Sequence, residues 1–237
     1  MPSPLSEAAA RPDPWQLPDV SDVIVGVVGG TGEQGRGLAL RWAVAGLSVI
    51  IGSRDPARAQ EAADAISAAT GTVVGGLGNA ACAAAADVVL IAVPYEHHRQ
   101  TLVDLADELA GRIVIDCVNP LGFDAKGAYA LAVPDGSAAQ EAALVLPEAR
   151  VVAAFHHVSA KVLGDPEAAV VPCDVLVLGD DRGATDVVQA LACLVPGMRG
   201  VYAGRLRNAG QIEAMTANLI SINRRYRAHS SLAVTGL

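Results

Sequence analysis

Residues 22–37 read DVIVGVVGGTGEQGRG. The first seven, Asp22–Val28, are apolar and β-branched, the pattern of a strand buried on both faces. Glycines follow, and from Glu33 to Ala45 the apolar positions Leu38, Trp42 and Ala45 fall on one helical stripe. Gly30, Gly32 and Gly35 thus form a G-x-G-x-x-G set between a strand and a helix, and that context gives the pattern its meaning. Gly30 permits the tight turn, Gly32 lets the backbone approach a pyrophosphate, and Gly35 lets helix and strand pack closely. The free N–H groups and positive dipole of the helix N-terminus face the phosphates. The stretch predicts a dinucleotide site rather than a plain β-turn-α junction.

The alternation continues outward from this unit. Ser48–Gly52 reads as a second buried strand, and Asp55-Pro56 opens an Ala-rich helix to about Ala69 with Asp55 as N-cap. Thr72–Gly75 is a weak third strand, Asn79 a cap for a short alanine helix, and Val88–Val93 a fourth strand ended by Pro94. Thr101–Leu109 is helical and Ile113–Cys117 is the fifth strand. After a loop over Val118–Pro134, Ser137 and Gln140 form a capping box for another helix. Val151–Ala154, Val175–Leu178 and Gly200–Ala203 read as further strands, and Leu232–Thr235 as a final one. Thr185–Leu194 is helical, and Asn208–Ala228 is the longest helix. This order predicts an α/β fold, a doubly wound parallel sheet with helices on both faces. The expected division is a disordered Pro-rich extension over 1–21, a dinucleotide-binding domain over 22–150 and a C-terminal portion over 151–237.

Composition narrows the class. Hydrophobic residues make up 52% of the 237 and aromatics 3%, so the core is built from Ala, Val, Leu and Ile. A formal charge of -8 argues against a general binder of nucleic acid or anionic membranes. The charge is uneven, however: from Val187 onward there are six arginines and one acid, Glu213. Four scattered cysteines with no C-x-x-C read as buried thiols in a reducing cytoplasm. No apolar run is long enough for a membrane span, and residues 1–21 lack the pattern of a signal peptide.

The end of the second strand selects the dinucleotide. An NAD site commonly carries an acid there for the ribose 2′-OH. This chain has Gly52-Ser53-Arg54-Asp55 instead, with Arg58 about one helical turn on. Ser53 can donate to a 2′-phosphate, Arg54 and Arg58 can pair with it, and Asp55 is spent on the helix cap. These residues favour NADP.

The string Gly29-Gly30-Thr31-Gly32-Glu33-Gln34-Gly35 with Ile51-Gly52-Ser53-Arg54 closely resembles the F420-dependent NADP reductases. The likeness continues through Val93-Pro94-Tyr95-Glu96-His97, Asn119-Pro120-Leu121-Gly122 and Phe155-His156-His157-Val158-Ser159-Ala160. It resumes at Gly179-Asp180-Asp181 and Ala203-Gly204-Arg205-Leu206-Arg207-Asn208, and reaches Thr235-Gly236-Leu237. The resemblance implies a Rossmann-type domain with a smaller C-terminal α/β portion, in a homodimer or higher homo-oligomer that passes hydride between NADP(H) and the deazaflavin coenzyme F420. It also implies that Thr31, Ser53, Arg54 and Arg58 hold the NADP phosphates. The remaining expected cofactor contacts are Gly30, Gly32, Glu33, Gln34 and Gly35 in the turn, and Val93, Pro94 and His97 in a loop beside the nicotinamide. His156 would lie where the two rings meet. Ser159 departs from relatives that carry proline there. The alternatives are an NADPH-dependent reductase of a flavin, ferric or imine substrate, and a non-catalytic NADP-sensing protein.

Hydride transfer needs no protein nucleophile, so no catalytic residue is expected beyond His156 as a ring-orienting group. The pairs His97-His98 and His156-His157 read as ordinary loop or strand-end residues rather than metal ligands. Asp180-Asp181 suits a helix start, and Asp116 stays ambiguous between structure and chemistry. The basic tail has two open readings, a solvated helix face or an anchor for the anionic F420 tail.

Overall fold

The computed structural model describes residues 13–165 and 167–237. Its first half runs β1 (Ile24–Val28), α1 (Glu33–Val44), β2 (Ser48–Ser53), α2 (Pro56–Thr70), β3 (Gly75–Gly78), α3 (Asn79–Ala85), β4 (Val88–Ile91), α4 (Tyr95–Asp104), α5 (Ala106–Leu109) and β5 (Ile113–Asp116). A hairpin of β6 (Leu121–Asp124) and β7 (Gly127–Ala130) follows, then α6 (Ala138–Val145) and β8 (Arg150–Ala153). The chain ends with α7 (Ala160–Leu163), β9 (Cys173–Gly179), α8 (Arg182–Cys193), β10 (Met198–Gly204) and α9 (Ala209–Tyr226).

One eight-stranded sheet has the order β10-β9-β8-β5-β4-β1-β2-β3, and β6-β7 form a separate ladder. The strand order reverses beside β1, which is flanked by β2 and β4. A crevice opens at the carboxyl ends of the strands at such a switch point. Helices cover both faces. Leu38, Trp42, Leu163 and Leu191 belong to the core on one side, Leu102, Ala138 and Ala142 to the core on the other. The largest fully buried side chains include Trp42 and Phe155, whose rings meet edge to face at 5.6 Å between centroids.

Several expectations need correction. The sheet is parallel except where β9 runs antiparallel to β8. A parallel crossover needs a dozen or more residues and is usually a helix. The chain between β8 and β9 is long enough for one but, among the described residues, holds only the four-residue α7, absent from the sequence reading, and no helix that crosses the sheet. The third strand starts three residues later than expected, at Gly75. Gly71 ends α2 in the left-handed region, and Thr72 and Val74 are spent on hydrogen bonds that close the turn. Gly78, not Asn79, occupies the cap position of α3. The expected loop over 118–134 contains the β6-β7 hairpin.

Leu232–Thr235 is not a strand. The Leu232 carbonyl accepts from Asp174 N at 2.9 Å, and Val234 N donates to the Asp174 carboxylate instead of joining a ladder. Residues 1–12 of the expected extension lie outside the described residues. Leu17 packs on the core and Val20 is buried in it, so the chain is anchored from there onward. Among the described residues no helix is long and apolar enough to cross a membrane.

Candidate functional site

The turn after β1 is shaped by glycines, though with a different division of labour from the sequence reading. Gly29 has φ +80, in the left-handed region, and a Cβ there would sit 2.4 Å from the Ala92 carbonyl oxygen. That residue was not singled out, although the double glycine was its signal. A Cβ on Gly30 would meet Val27 O at 2.8 Å, and one on Gly35 would meet Gly29 O at 3.0 Å. Gly32 borders open space, with Gly29 O at 3.4 Å as its only close neighbour. It is the N-cap of α1 with no side-chain cap. The first N–H groups of α1 are thus left for a ligand.

Two clefts meet at this helix start. The first, of about 490 Å³, is lined by Thr31 and Gly32 from the turn, by Ser53, Arg54 and Arg58, and by Val93, Pro94 and His97. Ser53 is buried, and its hydroxyl accepts from Asp55 N at 3.2 Å, so its own proton is free to be donated. Asp55 caps α2 through Ala57 N at 3.0 Å. Among the described residues neither Arg54 nor Arg58 is paired with a carboxylate. The floor is therefore basic and its one nearby acid is committed to a helix end. Tyr95–His97 are the first turn of α4, not the loop expected there.

The second cleft, of about 690 Å³, is lined by Glu33 and Gln34 on one side and by Asn119, His156 and Thr216 on the other. Gln34 does not turn into the first cleft: its Nε2 donates to the Phe155 carbonyl at 3.1 Å. The His156 carbonyl accepts from Asn119 Nδ2 at 2.8 Å and from Thr216 Oγ1 at 3.1 Å. The His156 ring is buried beside the backbone of Cys117 and Val118, and among the described residues neither ring nitrogen meets a partner in hydrogen-bond geometry. Burial pushes its pKa down to about 4, so the ring is neutral. His157 turns away and bonds the Asp174 carbonyl at 2.8 Å. Lys161, Arg227 and His229 lie at the same cleft. Of the basic tail, Arg227 lines this cleft, Arg199 pairs with Asp174 at 2.7 Å, and Arg205 bonds the Asp180 carbonyl at 2.8 Å. Asp181 caps α8 through Ala184 N.

The interior holds a charge cluster the sequence did not reveal. His98 was expected to be an ordinary loop residue, but it is a fully buried residue of α4. Its Nε2 meets Asp116 Oδ2 at 2.6 Å and its Nδ1 meets Glu141 Oε1 at 2.9 Å. Burial alone would lower its pKa, but Asp116 and then Glu141 outweigh burial and raise it to about 9. The imidazolium pins the end of β5 and the flank of α6 to α4. Asp116, ambiguous in sequence, is its structural counter-ion and also accepts from Val118 N at 3.1 Å. Glu213 of α9 is buried nearby, accepts from Ala138 N and Ala139 N, and caps α6. Burial pushes its carboxyl up to about 7. No spacing rule links residues 98, 116, 141 and 213.

A family model described as NADP oxidoreductase, coenzyme F420-dependent, matches residues 24–120. The F420-dependent NADP reductase of Methanothermobacter thermautotrophicus is 40% identical over 90% of this chain and 95% of its own length. That of Methanocaldococcus jannaschii is 38% identical over 90% and 98%. A solved structure titled as a putative F420-dependent NADP reductase from Arthrobacter sp. FB24 superposes with a TM-score of 0.72 at 26% identity, covering 89% of this chain and 99% of that one. With two such relatives matched nearly end to end, and with the glycine turn and paired clefts in place, the chain belongs to the F420-dependent NADP reductase family.

Proposed function

We propose that this chain is an oxidoreductase that transfers hydride between NADP(H) and coenzyme F420. The observation that carries this reading is the meeting of two clefts at one helix start, the first basic and the second containing a buried neutral histidine. The residues present fit both groups. The first cleft offers the free amides of α1 over a turn without Cβ atoms, and two cations unpaired by any described acid. The second offers His156, whose ring nitrogens no described residue satisfies in hydrogen-bond geometry. When bound side by side, the two cofactors supply the hydride donor and acceptor.

The chain binds and orients them. The N–H groups of α1 and the Thr31 hydroxyl take the pyrophosphate, while Ser53, Arg54 and Arg58 take the 2′-phosphate. Val93, Pro94 and His97 border the nicotinamide end of the first cleft. A neutral imidazole has one donor and one acceptor nitrogen, so His156 can orient a polar ring edge without introducing a charge. Glu33 and Gln34 lie between the two clefts. Hydride transfer itself requires no protein nucleophile.

Purified protein with NADPH should bleach the deazaflavin absorbance of F420. Bleaching of FMN or reduction of ferric chelates with no response to F420 would overturn the reading. Arg54→Ala should weaken NADPH much more than NADH, by about 2 kcal/mol or roughly thirtyfold in dissociation constant. Equal losses for the two dinucleotides, measured by fluorescence titration, would remove Arg54 from the 2′-phosphate site.

A further inference from the structure

One face of α1 holds the wall of the second cleft at three successive points. Gln34 donates to the Phe155 carbonyl at 3.1 Å. At Gly37 the helix comes so close that a Cβ would lie 2.6 Å from Leu163 Cβ. Arg41 donates to the carbonyls of Val162, Leu163 and Asp165 at 2.8, 2.8 and 2.7 Å. Residues 34, 37 and 41 share one helical face. The N-terminus of this same helix borders the first cleft through Gly32.

The point that needs holding most firmly is Phe155. It has φ +65, and apart from Arg227 it is the only non-glycine at positive φ among the described residues. A bulky side chain in that region is strained and persists only when its surroundings impose it. Its ring is locked against Trp42, and its carbonyl accepts from Gln34 Nε2 at 3.1 Å and, more weakly, from Val158 N at 3.3 Å within its own loop. The next residue is His156. Its carbonyl is held by Asn119 and Thr216, both of which belong to the second cleft. Among the described residues, Gln34 makes the side-chain hydrogen bond that ties this peptide pair to the turn of the first cleft.

We propose that Gln34 is a positioning residue: its amide holds Phe155 in the left-handed conformation and so fixes the His156 ring relative to the dinucleotide turn. The inference rests on the hydride-transfer reading for its role in the reaction. Gln34→Met keeps the length and removes the donor. Loss of one neutral hydrogen bond should raise KM for F420 about fivefold, while the Kd of NADPH stays within about twofold.

A readout independent of turnover is the NMR titration of the His156 ring. In wild type it should stay neutral down to about pH 4. In Gln34→Met its midpoint should move up toward 6.5, the ordinary histidine value, as the loosened segment admits water. A rise in the NADPH Kd matching that in KM would make Gln34 a dinucleotide contact and overturn the proposal. An unchanged His156 titration in Gln34→Met would overturn it as well. Wild-type protein inert toward F420 would instead overturn the functional reading, with the NMR titration still deciding the role of Gln34.

Discussion

Replacing His98 with alanine should destabilise the fold by about 3–5 kcal/mol, the cost of removing one partner from a buried ion cluster. Asp116 and Glu141 would face each other across a cavity, with Arg99 reaching only Glu141, at 3.2 Å. The loss should appear in urea unfolding at pH 7. His98→Gln separates charge from packing, since it keeps a polar side chain but cannot become a cation. In wild type the folded pKa of His98 is raised to about 9 from 6.5. A raised pKa means the folded state holds a proton that the unfolded state releases. The stabilisation is therefore fully present below pH 6.5 and is lost as pH rises through 9, a fall of roughly 3 kcal/mol.

Other groups act beside it. Glu213, raised to about 7, gives a slope of the same sign at lower pH, while burial of His156 opposes it below about 6.5. Tyr95, Arg99 and Asp135 also border the cluster. Between about pH 7.5 and 8.5 the His98 contribution stands nearly alone; above that, the buried thiols of Cys82, Cys117 and Cys173, whose pKa values burial raises, add a fall of the same sign. Wild-type stability should fall between pH 7.5 and 8.5, and that of His98→Gln should be much flatter over that interval. A flat wild-type profile would mean that His98 is not a cation in the folded protein.

The second large effect is expected from Gly29→Ala. At φ +80 any side chain costs about 1–3 kcal/mol. In addition, the new Cβ would lie 2.4 Å from the Ala92 carbonyl oxygen, and relieving that overlap costs about 1–3 kcal/mol more. Backbone cannot swing aside as a long side chain can, so either the turn or the end of β4 must move. Both border the first cleft, through Thr31 and Gly32 on one side and Val93 and Pro94 on the other. NADPH binding should weaken at least about a hundredfold, and thermal stability should drop. Gly46→Ala is the control: its φ is +91, but a Cβ there meets nothing within 4 Å. It should cost about 1–2 kcal/mol of strain and leave NADPH binding unchanged. If both variants lost binding equally, general destabilisation rather than the turn would be responsible.

How much of the site was legible depended on how local each cause is. Asp55 and Ser137 were readable as helix caps because a cap bond spans two or three residues. The basic end of β2 was readable because Ser53, Arg54 and Arg58 follow one strand end and one helical turn. His98 was misread for the opposite reason. Neighbouring histidines on an extended segment point to opposite faces, but on α4 one is exposed and the next is buried against partners 18 and 43 residues away. Gln34 shows the same limit. Its position in a phosphate-binding turn suggested a cofactor contact, yet its amide reaches a carbonyl 121 residues further along the chain.

By itself, the sequence determined the strand–turn–helix unit at residues 22–44, the alternation that builds a mostly parallel sheet, and the preference for a phosphorylated dinucleotide. These follow from side-chain periodicity, glycine conformations and charge at fixed short spacings. Tertiary structure alone decided that β9 turns back against β8, that His98 is a buried cation, and that α1 spans two clefts. Those features arise where distant segments share a low-dielectric interior. There a charge must find its partner and a strained peptide its restraint, whatever the separation along the chain.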